Sequence, residues 1–126
     1  MTLTMVHEGL ARAAVIFSII CALWGLINYV REQPVTSGYL GALALCTILF
    51  VAQGVLGVVL FLQGQQPYRV AMHILYGTVG IITIPAAFLY SQGRDARREN
   101  LLYAIVCLFL MGIALRSMTT GYIPAP

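Results

Sequence analysis

The sequence predicts an all-α integral-membrane protein, a four-transmembrane-helix bundle forming one domain over residues 1–126, and three observations carry that expectation. Of 126 residues, 60% are hydrophobic and only 9% are charged, where soluble domains run near 25% charged. The mean hydropathy is +0.90, and a domain this small has too much surface per volume to hide so much apolar area in a core of its own. The charges, seven Arg and four acids with no Lys, cut the chain into long apolar blocks. A water-soluble globule is excluded.

The blocks set the helices. Uncharged stretches of 18, 36, 24 and 16 residues separate Arg12 from Arg31, Glu32 from Arg69, Arg69 from Arg94 and Glu99 from Arg116. A bilayer core takes about 20 apolar residues per helix, so each block holds one span, at roughly 8–30, 39–62, 70–91 and 100–119. The first span follows His7, Glu8 and Arg12 rather than a basic leader, and no small-residue cleavage pattern follows it, so it is expected to stay as a helix. The second is trimmed by two stretches of loop composition, Gln-Pro-Val-Thr-Ser-Gly at 33–38 and Gln-Gly-Gln-Gln-Pro at 63–67. Pro85 in the third lacks the N–H for a helical bond and should kink it, with Thr83 or a water taking the freed carbonyl. The fourth follows a polar connection over 91–99 and ends in an extended tail, 121–126, with two prolines.

Four of the seven Arg (Arg31, Arg94, Arg97, Arg98) fall after helices 1 and 3, whereas Arg12, Arg69 and Arg116 stand at the opposite helix ends. The positive-inside rule then places both termini on the outer, periplasmic side of a bacterial inner membrane. Trp24, Tyr29 and Tyr39 are expected in the inner aromatic belt, and Tyr68, Tyr76 and Tyr122 in the outer one. The net charge of +3 and a pI near 9.0 do not signal nucleic acid, because the Arg residues are scattered over loop ends instead of gathered on one face. The expected surroundings are lipid and either other membrane subunits or further copies of the chain.

Little in the chain can do chemistry. Cys21, Cys46 and Cys107 fall inside helices, with no C-x-x-C and no C-x-x-C-H for covalent haem, and are expected as small packing residues. Gly54/Gly57 and Gly77/Gly80 sit in helix interiors with no preceding strand, so they are not phosphate loops. The two histidines, His7 and His73, each stand at the opening of a predicted helix. Helices 1 and 3 run in the same direction, which brings both imidazoles to one depth near the outer face. That pairing suits the two axial positions of a haem iron in a helix bundle and is too small a set for zinc.

The neighbours of each histidine add to this. One and two turns along from His73 lie Gly77 and Gly80, and the matching positions after His7 are Ala11 and Ala14, small enough to leave room for a porphyrin. Arg69, Arg12 and Arg116 are expected at the outer end, within reach of propionates, with Glu8 and Arg12 paired at i, i+4. Gln53, the amide deep in helix 2, is expected to bond across helices or to contact haem or quinone. Other readings remain open on spacing alone. Interfacial His, Arg and Tyr are common without any ligand, and a single histidine can hold a chlorophyll-type magnesium.

The stretch Gln53-Gly54-Val55-Leu56-Gly57-Val58-Val59-Leu60, a turn with Pro67, and Val70-Ala71-Met72-His73 opening an apolar helix resemble the heme A synthase family, as does Met5-Val6-His7. The resemblance covers about residues 4–92. It implies non-covalent haem b held by His7 and His73 in a chain equivalent to one half of that family's eight-helix, two-haem protein. In the family's substrate half a glutamate precedes the first histidine by three residues, whereas this chain has Thr4. The family's histidines also lie on the second and fourth helices of each half, and here they lie on the first and third. The expected function is therefore electron transfer or haem carriage in a respiratory or photosynthetic complex, with no catalytic residue assigned. The alternatives are a non-redox accessory subunit holding lipid, quinone or pigment, and a haem-modifying enzyme acting as a dimer.

Overall fold

A computed structural model describes residues 2–64 and 70–122, with the side chains of 119–122 excepted. The described residues form four helices and no strand: α1 (Leu3–Val30), α2 (Ser37–Leu62), α3 (Val70–Tyr90) and α4 (Arg97–Tyr122). All four are long and apolar enough to cross a membrane, and the protein is an integral membrane protein of the four-helix type. They pack as a square, α1 and α3 each lying against α2 and α4. The diagonal pairs α1/α3 and α2/α4 stay apart.

Three helices begin earlier than the sequence suggests. α1 starts at Leu3 because the Thr2 hydroxyl caps it, accepting from the Met5 N–H at 3.1 Å, as the Thr36 hydroxyl caps α2 from the Tyr39 N–H at 3.1 Å. α4 starts at Arg97, which places Glu99 in its first turn, where the helix dipole favours an acid. Glu99 is buried at 5% exposure and pairs with Arg94 at 3.7 Å and Arg98 at 3.4 Å. Among the described residues Glu8 and Arg12 form no such pair.

The packing is uneven along the bundle axis. A run of small residues on α1 (Ala11, Ala14, Ser18, Cys21, Ala22, Gly25) is buried, which lets the α4 face carrying Tyr103, Ala104, Cys107 and Leu110 approach closely. Gly25 admits the Tyr39 hydroxyl and the Asn100 carbonyl, where any Cβ would collide. Towards the Arg-rich end the bundle is stitched shut by polar contacts. Asn28 donates to Asn100 at 3.3 Å and Asn100 donates to the Gln33 carbonyl at 2.9 Å. The Val35 N–H reaches the Asp95 carbonyl at 2.9 Å, joining the two loops. Arg97 donates to the Tyr29 carbonyl at 2.7 Å while its guanidinium covers the Tyr29 ring.

Two expectations change here. Tyr39 is no belt residue: it is wholly buried and donates to the Cys21 carbonyl at 2.8 Å. Thr83 donates to the Val79 carbonyl, so it does not cap the carbonyl of Ile81 that Pro85 leaves without a donor. α3 nonetheless runs unbroken through Pro85. The three cysteines are free thiols in the core.

Candidate functional site

The opposite end of the bundle, where the chain begins and α4 ends, is hollow. A cavity of about 580 Å³ lies between all four helices, walled by Ala11 and Ala14 from α1, Phe50, Gln53, Gly54 and Gly57 from α2, Gly77 and Ile81 from α3, and Ala114 and Ser117 from α4. That volume falls inside the roughly 300–1,000 Å³ range of small-molecule sites. His7 and His73 both line it. They come from the diagonal helices, so α1 and α3 touch the same space without touching each other.

The two imidazoles meet across that space with ring centroids 6.2 Å apart and planes inclined at 62°. His7 is the fifth residue of α1 and His73 the fourth of α3, a turn inside each helix rather than at its first residue, yet at equal height. His73 is held by α4: its Nδ1 lies 3.0 Å from the Ser117 carbonyl. A carbonyl only accepts, so Nδ1 carries the proton and the Nε2 lone pair is the donor atom. Gly57 borders His7: a Cβ there would lie 3.6 Å from the His7 Cε1, in ordinary contact.

Two buried side-chain atoms at this cavity have no hydrogen-bond partner, His7 Nδ1 and Gln53 Oε1. The interhelical bond expected of Gln53 does not form through this oxygen. A partnered buried amide would cost roughly 0.6–2 kcal/mol to remove, whereas an unpartnered one is itself a burden. Gln53→Leu is therefore expected to leave the midpoint of SDS-induced unfolding of the ligand-free protein unchanged or raised. A clear drop would mean that the amide is bonded after all.

Of the other site residues read from the sequence, Ala11, Ala14 and Gly77 line the cavity and Gly80 does not. A Cβ at Gly80 would fall 2.6 Å from the Phe50 ring, so this glycine serves helix packing. Arg12 and Arg116 are exposed and off the cavity wall. Arg69 lies outside the described residues, as do Tyr68, the side chain of Tyr122 and residues 123–126. Tyr76, expected in the outer belt, is half-buried and lines the cavity. Phe50, Ile81 and Ser117 were not singled out by sequence; the signal for Phe50 and Ile81 is register, one turn from Gln53 and Gly77, and Ser117 has none.

Among the described residues no three His, Cys, Asp or Glu gather into a metal-holding group. Among the described residues the cavity thus offers two imidazoles, one amide, the hydroxyl-bearing side chains of Tyr76, Thr78 and Ser117 and an otherwise apolar wall, with no carboxylate. No family model, curated protein or solved structure matches the chain.

Proposed function

We propose that the chain is a haem b-binding membrane protein, holding one non-covalent haem between His7 and His73 and serving electron transfer or haem carriage in a membrane complex. The observation that carries this reading is the 6.2 Å between the two ring centroids. Two metal–nitrogen bonds of about 2 Å, each with its ring centroid about 1 Å further back, need roughly 6 Å between imidazoles on opposite sides of one iron.

Three further features support it. The Nδ1 contact of His73 with the Ser117 carbonyl is the outer-shell bond that orients a ligating histidine and raises its basicity. Gly57 and Gly77 remove side chains beside the imidazoles, as a flat ring requires. The buried Nδ1 of His7 and Oε1 of Gln53, both without partners in the protein alone, are what a cavity shaped around a bound group leaves behind.

The group would supply one-electron chemistry. His7 and His73 would fill both axial positions, and the apolar wall would exclude water. Among the described residues no carboxylate lines the cavity, and Thr4 stands where a heme A synthase-like substrate site has glutamate, so no reaction at the haem periphery is assigned. The Arg distribution supports a placement with the cavity end and both termini outside, in a bacterial inner membrane. The test is the visible spectrum of the purified protein: a dithionite-reduced b-type α-band at one haem per chain is expected. A colourless protein that takes up no added haemin would overturn the reading.

A further inference from the structure

The cavity wall is closed on two sides and open on a third. From α1 and α4 it is made of buried or half-buried residues, among them Ala11, Ala14 and Ala114. From α2 and α3 it includes residues exposed on the outer surface of the bundle: Val51 at 40%, Val55 at 58%, Val58 at 60% and Ile74 at 55%. Val51, Val55 and Val58 follow one another along one helical face, beside Gly54, whose missing Cβ would fall 2.9 Å from the Ile81 side chain of α3. That face therefore borders α3.

The seam between α2 and α3 is pinned at its deep end by two close approaches, the Phe50 ring on Gly80 and Ile81 on Gly54. Above them, as α2 rises from 55 to 61 beside α3 from 78 down to 73, side chains face the cavity and the outside together. These positions lie within segments that cross the hydrocarbon, so the outside they face is lipid.

Resting on the haem reading above, we propose that the tetrapyrrole reaches His7 and His73 sideways from the bilayer, edge first, through the seam between α2 and α3. A flat, largely apolar ligand has its highest concentration in the membrane. The seam offers it valine and isoleucine walls with no charge to desolvate, and the nearest side chains can rotate aside without a helix moving.

The test uses the full chain, ligand-free, in phosphatidylcholine vesicles mixed with donor vesicles carrying either haemin or metal-free protoporphyrin IX. Haemin uptake is read by absorption, and porphyrin uptake by its fluorescence, which needs no axial ligand. Val58→Trp is expected to slow uptake of both by about tenfold or more. Its spectrum after refolding around haemin should match that of the unaltered protein. Ile105→Trp, on a lipid-facing surface of α4 that is 58% exposed, should leave the rate unchanged.

Equal rates for Val58→Trp and the unaltered chain would overturn the proposal. So would a Val58→Trp protein that stays empty after refolding, because the seam would then be a wall of the site and not a passage. If porphyrin enters the unaltered chain and Ile105→Trp at the same rate and Val58→Trp slowly, yet haemin gives no six-coordinate spectrum, the passage stands and the bis-histidine reading falls. If neither tetrapyrrole enters, both fall.

Discussion

His73→Ala is expected to abolish haem retention, leaving a protein that still folds but shows no reduced α-band. His7→Ala should do nearly the same. The alternative is that the rings form an edge-to-face pair with a purely structural role, worth roughly 0.5–1.5 kcal/mol beyond the area it buries. That role predicts a modest drop in unfolding midpoint for either variant, equal with and without haemin, and no spectral change. Axial ligation predicts that haemin stabilises the unaltered protein and neither variant, since a ligand raises stability only as far as it binds the folded state. A His73→Gly variant sharpens the contrast, because free imidazole can occupy the vacated space and restore the band. His7 and His73 should also differ. Only His73 has its Nδ1 proton fixed, by the Ser117 carbonyl at 3.0 Å, so its ring is oriented before any ligand arrives. The residual five-coordinate spectrum should therefore be stronger in His7→Ala than in His73→Ala. The reverse order would place the oriented ligand on α1.

The four spans were legible because charge placement along a membrane chain is a topological record, and each long uncharged block holds the middle of one helix. Three starts were misplaced because Thr2 and Thr36 cap α1 and α2 with side-chain bonds, and because Arg97, Arg98 and Glu99 fit a helix first turn as readily as a loop. Which face of each helix looks inward was not legible. In a helix apolar all round, the 3.6-residue pattern that separates core from solvent in a soluble protein is absent. Tyr39 therefore read as an interface residue although it is wholly buried. The polar stitching at the Arg-rich end had one signal that could have been used: the chain has two asparagines, Asn28 and Asn100, at the matching ends of antiparallel spans, and an amide there calls for a partner. The histidine pair was legible for a different reason. With two imidazoles in the whole chain, both one turn into helices of the same direction, depth alone brings them together.

Gly77 and Gly80 are the sharpest test of the cavity itself, since they sit three residues apart on one helix and looked equivalent in sequence. A Cβ at Gly77 meets nothing within 4 Å, whereas one at Gly80 drives into the Phe50 ring at 2.6 Å. Gly77→Leu should therefore project its side chain into the cavity without disturbing the bundle. Leucine also favours the helix over glycine by up to about 1 kcal/mol, so the ligand-free protein should unfold at an equal or higher SDS concentration. The same side chain occupies the space beside His73 that a porphyrin needs, and haem binding should be lost. Gly80→Leu should behave in the opposite way. It must push Phe50 aside at the deep pin of α2 and α3, at the roughly 1–3 kcal/mol typical of overpacking, and its unfolding midpoint should fall whether or not haemin is present. The pair separates occupancy from folding, because a gain in stability joined to a loss of haem has no explanation in damaged packing. A Gly77→Leu protein that keeps one haem per chain would mean that the haem lies elsewhere.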